Sequence, residues 1–379
     1  MQEKRSLKMN EICFHDGLSF QKLNMMPRNA QLGPVMHYPS DQVYPDAYEI
    51  TGNGDVRFRF YLPQAHHVSL KTFTDEFVLE KKEDIWTALC HVGTGFIGIF
   101  LNVDGNDVIY PALPVGFGGN APINYIEVPE ENAVILPKNC PHGTVVMEYL
   151  ESRATKRLER IYVYLPPDYF GTDNMYPVLY LQHGHGENET AWVNQGKMNF
   201  IYDNLIAEGK AKSAIVVMCN GMASFGSETG VCVSPAELFP EMLVEEVIPY
   251  IESKYRAYGD KAHRAMAGLS MGSMQTSVVT LEHQELFDYA GIFSGFVADF
   301  LSGYTEHIKP EYLKTYGKNM KYIFRAMGRD DMFMEKFLAD DRLLEQYQVE
   351  HERVLYDGFH EWKVWQHCLY DFAQKIFRE

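Results

Sequence analysis

A chain of 379 residues exceeds what one hydrophobic core usually holds, and its 46% apolar content suffices for two, so two domains are expected. With 34 Lys and Arg against 51 Asp and Glu, the net charge of -17 repels phosphate backbones and anionic bilayers, which argues against nucleic acid and membrane as partners. The six cysteines (Cys13, Cys90, Cys140, Cys219, Cys232, Cys368) are scattered without paired spacing, which suits reduced thiols and offers no Cys-x-x-Cys zinc pattern.

The N-terminal Met1–Lys8 stretch is charged and lacks the apolar core of an export signal, and apolar runs such as Phe96–Val103 are too short to span a bilayer. A cytoplasmic protein is expected, secretion being open only if a leader has been removed. Residues 1 to about 50 carry Pro27, Pro34, Pro39 and Pro45 and read as an extended lead-in. From Gly54 the pattern changes. Asp55–Leu62, His67–Phe73 and Ile85–Leu89 alternate apolar and polar residues, and Phe96–Val103 meets an Asp104-Gly105 turn before Val108–Pro111. Short strands at this spacing predict a β-sandwich. The Val56-Arg57-Phe58-Arg59-Phe60-Tyr61-Leu62-Pro63-x-Ala65 opening, the central Trp86 and the Asp-Gly hairpin resemble the early-set immunoglobulin-like modules of glycan-active enzymes. The resemblance implies a site-shaping or structural module ahead of an esterase rather than a carbohydrate binder.

Between Pro114 and Cys140, Gly116, Gly118, Gly119, Pro122, Pro129 and Pro137 crowd together, which predicts a linker of about 114–140 with little regular structure. The domains expected are therefore 1–130, with a sandwich core of about 50–115, and 131–379. In the second, Arg160–Pro166 and Tyr176–Leu181 read as neighbouring strands. Helix (about 197–209), strand (Ala214–Met218), helix (about 236–255), strand (Arg264–Ala267), helix (from Met271) and strand (Tyr289–Phe293) follow. Strand Tyr322–Met327, helix 334–347, strand His351–Tyr356 and a helix from Glu361 complete an α/β domain with a mostly parallel sheet.

Its chemistry centres on Gly268-Leu269-Ser270-Met271-Gly272, which follows an apolar run and opens a helix. A serine lifted on a tight strand-to-helix turn leaves no room for a Cβ two residues to either side. The turn also puts the Met271 N–H at a helix N-terminus, where developing negative charge is stabilised. That is acyl-transfer chemistry, provided an imidazole and a carboxylate are at hand. Of the downstream histidines, His360 sits in a Gly-containing loop between the last strand and helix, at the sheet edge where catalytic groups gather. His351 lies at the opposite strand end and His367 within a helix. Asp330 and Asp331 both follow the preceding strand, and either could instead cap the helix beyond. The loop Leu181–Glu187, with Gly184 and Gly186, fits the second half of an oxyanion hole. A metal on His183 and His185 is disfavoured for want of a third ligand. Trp192 reads equally as a stacking platform or as packing, Trp362 and Trp365 read as core anchors, and the loop with Phe225 reads as a wall of the acyl pocket.

Several separated stretches then resemble the feruloyl and acetylxylan esterases of carbohydrate esterase family one, in the form preceded by an early-set module. These are Val163–Tyr169, Tyr176–Gly184, Gly186–Trp192, Ala267–Gln275, Phe293–Gly295 and His360–Trp365. The resemblance implies an α/β-hydrolase fold, Ser270 as nucleophile, Asp331 as acid, His360 as base, and the backbones of His185 and Met271 as oxyanion donors. No cofactor and no metal are expected. The chain departs from the pattern at His185, Ser273 and Phe359, so the mouth of the site differs in shape. Feruloyl esters of plant-cell-wall oligosaccharides are the expected substrates, with acetylxylan or a siderophore ester as the alternative and an inert glycan-binding protein as the remote one. A homodimer is open.

Overall fold

The computed structural model of the chain describes residues 46–128, 130, 134–222, 235–298 and 310–378. The predicted lead-in up to residue 45 and the candidate pocket residue Phe225 lie outside them. The chain divides into two compact units, one holding the residues up to Val115 and Ile123–Asn139, the other Gly116–Pro122 and Cys140–Glu379.

The strands up to residue 128 are β1 (Tyr48–Ile50), β2 (Asp55–Tyr61), β3 (Val68–Lys71), β4 (Glu76–Val78), β5 (Glu80–Lys82), β6 (Ile85–His91), β7 (Gly95–Val103), β8 (Asn106–Val108), β9 (Val115–Gly118) and β10 (Ala121–Val128), all of the first unit except Gly116–Gly118 of β9 and Ala121–Pro122 of β10. They form two antiparallel sheets, β1-β2-β6-β5 and β4-β3-β7-β10-β9, with β8 added to β7. The alternation read in β2 is a burial pattern: Val56, Phe58 and Phe60 are buried while their neighbours are half-buried. Asp104 and Gly105 both take positive φ, 51° and 86°, the backbone of a tight two-residue hairpin between β7 and β8. The stretch expected to be an irregular linker is corrected, because it holds β9 and β10. Asn124–Val128 pair with β7, and Pro122 precedes that register, so its missing N–H breaks no bond to β7.

The second unit runs β11 (Thr144–Ser152), β12 (Arg157–Leu165), β13 (Val178–Gln182), α1 (Ala191–Asn194), α2 (Met198–Ala207), β14 (Ile215–Cys219), α3 (Pro235–Met242), α4 (Ile248–Lys254), β15 (Arg264–Leu269), α5 (Met271–Glu282), β16 (Tyr289–Phe293), α6 (Pro310–Asn319), β17 (Tyr322–Gly328), α7 (Met334–Gln346), β18 (Glu352–Tyr356) and α8 (Trp362–Ala373). Its sheet order is β11-β12-β14-β13-β15-β16-β17-β18. β12 is antiparallel to both of its neighbours, and from β14 to β18 all pairs are parallel. The two strands read as neighbours, β12 and β13, are separated by β14, which pairs with each of them. The helix expected over about 236–255 is α3 and α4 joined by π-helical Leu243–Val247. Pro249 lacks the N–H that would close an α-helical bond to Glu245, which fits a widened turn there. β13 and β15 are buried along their whole length, Gln182 and Arg264 at their ends included, as expected of largely apolar strands covered on both faces.

Candidate active site

The turn between β15 and α5 is as tight as its glycines suggest. Ser270 sits at φ 50°, ψ -116°, a conformation sparsely populated for a residue with a Cβ, and its N–H donates to the Phe293 carbonyl at 2.9 Å. A Cβ on Gly268 would lie 2.4 Å from the Gly272 carbonyl oxygen, and one on Gly272 would lie 2.6 Å from the His183 oxygen and 2.7 Å from the Gln182 oxygen. Each glycine therefore lets one piece of backbone touch another, and together they hold the serine out at the carboxyl end of the sheet.

Two further loops from the same end reach this hydroxyl. His360 follows β18, and its Nε2 lies 2.9 Å from Ser270 Oγ. Its Nδ1 lies 2.7 Å from Asp331 Oδ2, in the loop after β17. An ionised Asp331 can only accept, so Nδ1 carries the proton and Nε2 is left to accept the serine hydroxyl. The Asp331 side chain is fully buried, and its other oxygen accepts the Phe333 N–H at 3.0 Å. Asp331 thus faces the imidazole and also accepts the N–H of Phe333, the residue before α7, whereas Asp330 is exposed. The loops are stapled to each other by Arg329 N–H to Tyr356 O and Asp330 N–H to Gly358 O, at 2.8 and 3.0 Å. Phe333 and Trp365 hold the imidazole ring edge-on, with centroids 5.3 and 5.1 Å away. Such a chain from carboxylate through imidazole to hydroxyl can deprotonate the serine and hold the resulting imidazolium.

The loop after β13 lies against the same serine, since a Cβ on Gly184 would come within 3.6 Å of Ser270 Cβ. Neither the His185 N–H nor the Met271 N–H donates to a protein acceptor among the described residues, which leaves both available to an oxyanion. His183 is buried. Its Nδ1–H donates to Gly184 O and its Nε2 accepts the Gly221 N–H, each at 2.8 Å, so neither nitrogen has a lone pair to offer a metal. Burial pushes its pKa down from 6.5 to about 4. A group with a depressed folded-state pKa stabilises above the unfolded value and loses that contribution as pH falls towards the folded one. Acid between about pH 6.5 and 4 is therefore expected to cost the fold about 3 kcal/mol through this ring alone. Urea denaturation of the chain and of His183→Gln at pH 7 and pH 4.5 measures it; equal acid sensitivity in the two would refute it.

Glu187 brings the loop's other anchor. Its Oε2 accepts the Gly184 N–H at 2.9 Å, and its Oε1 accepts the Trp362 indole N–H at 3.0 Å and the Gln195 amide at 3.4 Å. Burial pushes this carboxyl up to about 8 against the pull of those donors. Gly186, at φ 77°, meets the backbone of Gly119 and Asn120, within the Gly116–Pro122 segment that belongs to this unit.

Trp192 is corrected as a candidate stacking platform. It is 1% exposed, its indole N–H donates to Gln182 O at 2.9 Å, and its ring packs on Trp362 and Phe293. Trp362 and Trp365 are buried, as read, and Phe359, beside the imidazole in sequence, is 47% exposed. Gln195, Gln275 and the Glu187 contacts escaped the sequence reading. Gln275 donates to Gly221 O at 2.7 Å from α5, and polar residues on a helix carry no mark of such a distant partner.

The Esterase family model matches residues 152–376. An endo-1,4-beta-xylanase/feruloyl esterase of Xylanibacter ruminicola is 34% identical over 368 residues, covering 94% of this chain and 48% of that relative. The chain thus spans about half the length of that protein. Among solved structures, a ferulic acid esterase aligns with a TM-score of 0.55 and 25% identity over 62% of this chain and 97% of its own. The enterobactin esterase FES of Shigella flexneri aligns over 86% of this chain and 94% of its own, with a TM-score of 0.64 and 13% identity, a likeness of fold alone.

Proposed function

Because the chain belongs to the esterase family and is a carboxylic ester hydrolase of α/β-hydrolase fold, we propose that it cleaves feruloyl and related hydroxycinnamoyl esters of plant-cell-wall oligosaccharides through an acyl-enzyme on Ser270. The observation that carries the mechanism is the hydrogen-bond chain from Asp331 through His360 to a serine held on a left-handed elbow. His360 Nε2 takes the Ser270 proton as Oγ attacks the ester carbonyl, and the oxyanion rests on the His185 and Met271 N–H groups. The imidazolium, held by Asp331, returns the proton to the departing alcohol. Water, deprotonated by the same nitrogen, then attacks the acyl-enzyme; the carboxylic acid leaves and Ser270 regains its proton.

The acyl class is supported by the identity to a xylanase/feruloyl esterase across both units, and by the exposed aromatic Phe359 next to the base. No cofactor enters the scheme. The test is a panel of methyl ferulate, a feruloylated arabino-oligosaccharide, an acetylated xylo-oligosaccharide and enterobactin. The feruloyl substrates are expected to show a kcat/KM at least about tenfold above the others, since an aromatic acyl group buries more apolar area than an acetyl in a fitted pocket. Faster release of acetate, or of the catecholate trilactone, would move the assignment to that class.

A further inference from the structure

The site as described uses Ser270, His360, Asp331 and two backbone N–H groups, and leaves Glu187 unexplained. A buried carboxyl is costly, and its three contacts are all N–H donors: Gly184 on one oxygen, Trp362 and Gln195 on the other. The Gly184 carbonyl and the His185 N–H belong to one trans peptide, so they point in opposite directions within one plane. That carbonyl accepts the His183 Nδ1–H at 2.8 Å and the Glu187 N–H at 3.3 Å, while the preceding N–H of Gly184 goes to the Glu187 carboxyl. Orienting the carbonyl and anchoring the residue that bears it together aim the His185 N–H. On its other oxygen the carboxyl grips Trp362, two residues after His360 at the start of α8.

We propose that Glu187 is a positioning residue for ester hydrolysis, its carboxyl aiming the His185 N–H at the oxyanion and tying the oxyanion loop to the element that carries the base. This rests on the assignment of His185 to the oxyanion hole. Its three partners are all N–H donors, which holds the carboxyl ionised against the push of burial, so both oxygens accept, which a carboxamide cannot imitate: with its one oxygen on Gly184, its NH2 group faces the Trp362 indole N–H, donor against donor. A Gln195 amide that already clasps Phe117, accepting its N–H at 2.9 Å and donating to its carbonyl at 3.1 Å, cannot turn to relieve that clash without giving up those bonds.

The experiment compares the full chain with Glu187→Gln, Trp362→Phe and the double variant on methyl ferulate and 4-nitrophenyl acetate. Glu187→Gln is expected to lower kcat by about 10- to 100-fold with KM within about threefold, because a misaimed donor costs transition-state stabilisation and not ground-state binding. Inhibition by phenylboronic acid, whose tetrahedral adduct fills the oxyanion position, should weaken with kcat. Adding Trp362→Phe to Glu187→Gln removes the opposing donor and should restore part of the lost kcat, a recovery that a merely packing role would not produce. A wild-type kcat in Glu187→Gln, a loss confined to KM, or no recovery in the double variant overturns the proposal. Should Glu187→Gln fail to fold, Trp362→Phe alone reads the same link, with a drop in kcat of about threefold or more expected and an unchanged kcat overturning it. Failure of the underlying serine-esterase reading would appear separately, as activity retained when Ser270 is replaced.

Discussion

Ser270→Ala is expected to lower turnover of methyl ferulate and 4-nitrophenyl acetate by about 10⁴-fold or more while the fold survives. The loss is large because the nucleophile is removed and His360 is left with a proton to take only from water. The fold survives because the elbow is made by its surroundings. The backbone contacts at Gly268 and Gly272 and the Ser270 N–H bond to Phe293 are independent of the side chain, whose hydroxyl lies against His360. Alanine at φ 50° pays the same backbone strain as serine. Circular dichroism and a thermal melt within a few degrees of the parent, together with lost hydrolysis, are the expected pair of results. Activity retained by this variant would remove Ser270 from the mechanism.

How much of this was readable beforehand depends on how far apart the cooperating atoms lie along the chain. The elbow was legible because its sterics are local: two glycines and a serine within five residues dictate a turn wherever the strand sits. The parallel strands were legible from short, largely apolar runs alternating with helical stretches, yet their order was not, since periodicity reports that a strand exists and says nothing of which strand lies beside it. Hence β14 slips between β12 and β13. The hairpin of β9 and β10 was hidden because Gly and Pro read as breakers wherever they fall, although strands near a sheet edge tolerate them. Trp192 left two roles open because a loop tryptophan looks the same in text whether its indole N–H finds water or, as here, the Gln182 carbonyl. Glu187 reaches Trp362 across 175 positions of sequence, and no local pattern marks such a pair.

Asp331→Asn tests the remaining member of the chain, and here the expected loss is also about 10⁴-fold in kcat, for a reason of proton placement. Asp331 accepts on both oxygens, from His360 Nδ1–H at 2.7 Å and from the Phe333 N–H at 3.0 Å. An asparagine has one acceptor. If it keeps Phe333, its NH2 faces the imidazole, which must then accept at Nδ1 and carry its proton on Nε2, where it cannot take the proton of Ser270. If it keeps the imidazole, the NH2 opposes the Phe333 N–H in a buried site, at a cost of about 1–3 kcal/mol. The first arrangement is the cheaper, because only the tautomer changes, so the variant should fold normally and turn over slowly. Asp330→Asn is the companion measurement. Asp330 is exposed, and its N–H to Gly358 O bond belongs to the backbone, so its kcat should stay within about twofold of the parent. The reverse ranking, with Asp330→Asn crippled and Asp331→Asn active, would hand the acid role to the neighbouring carboxylate and require the loop after β17 to turn over in solution.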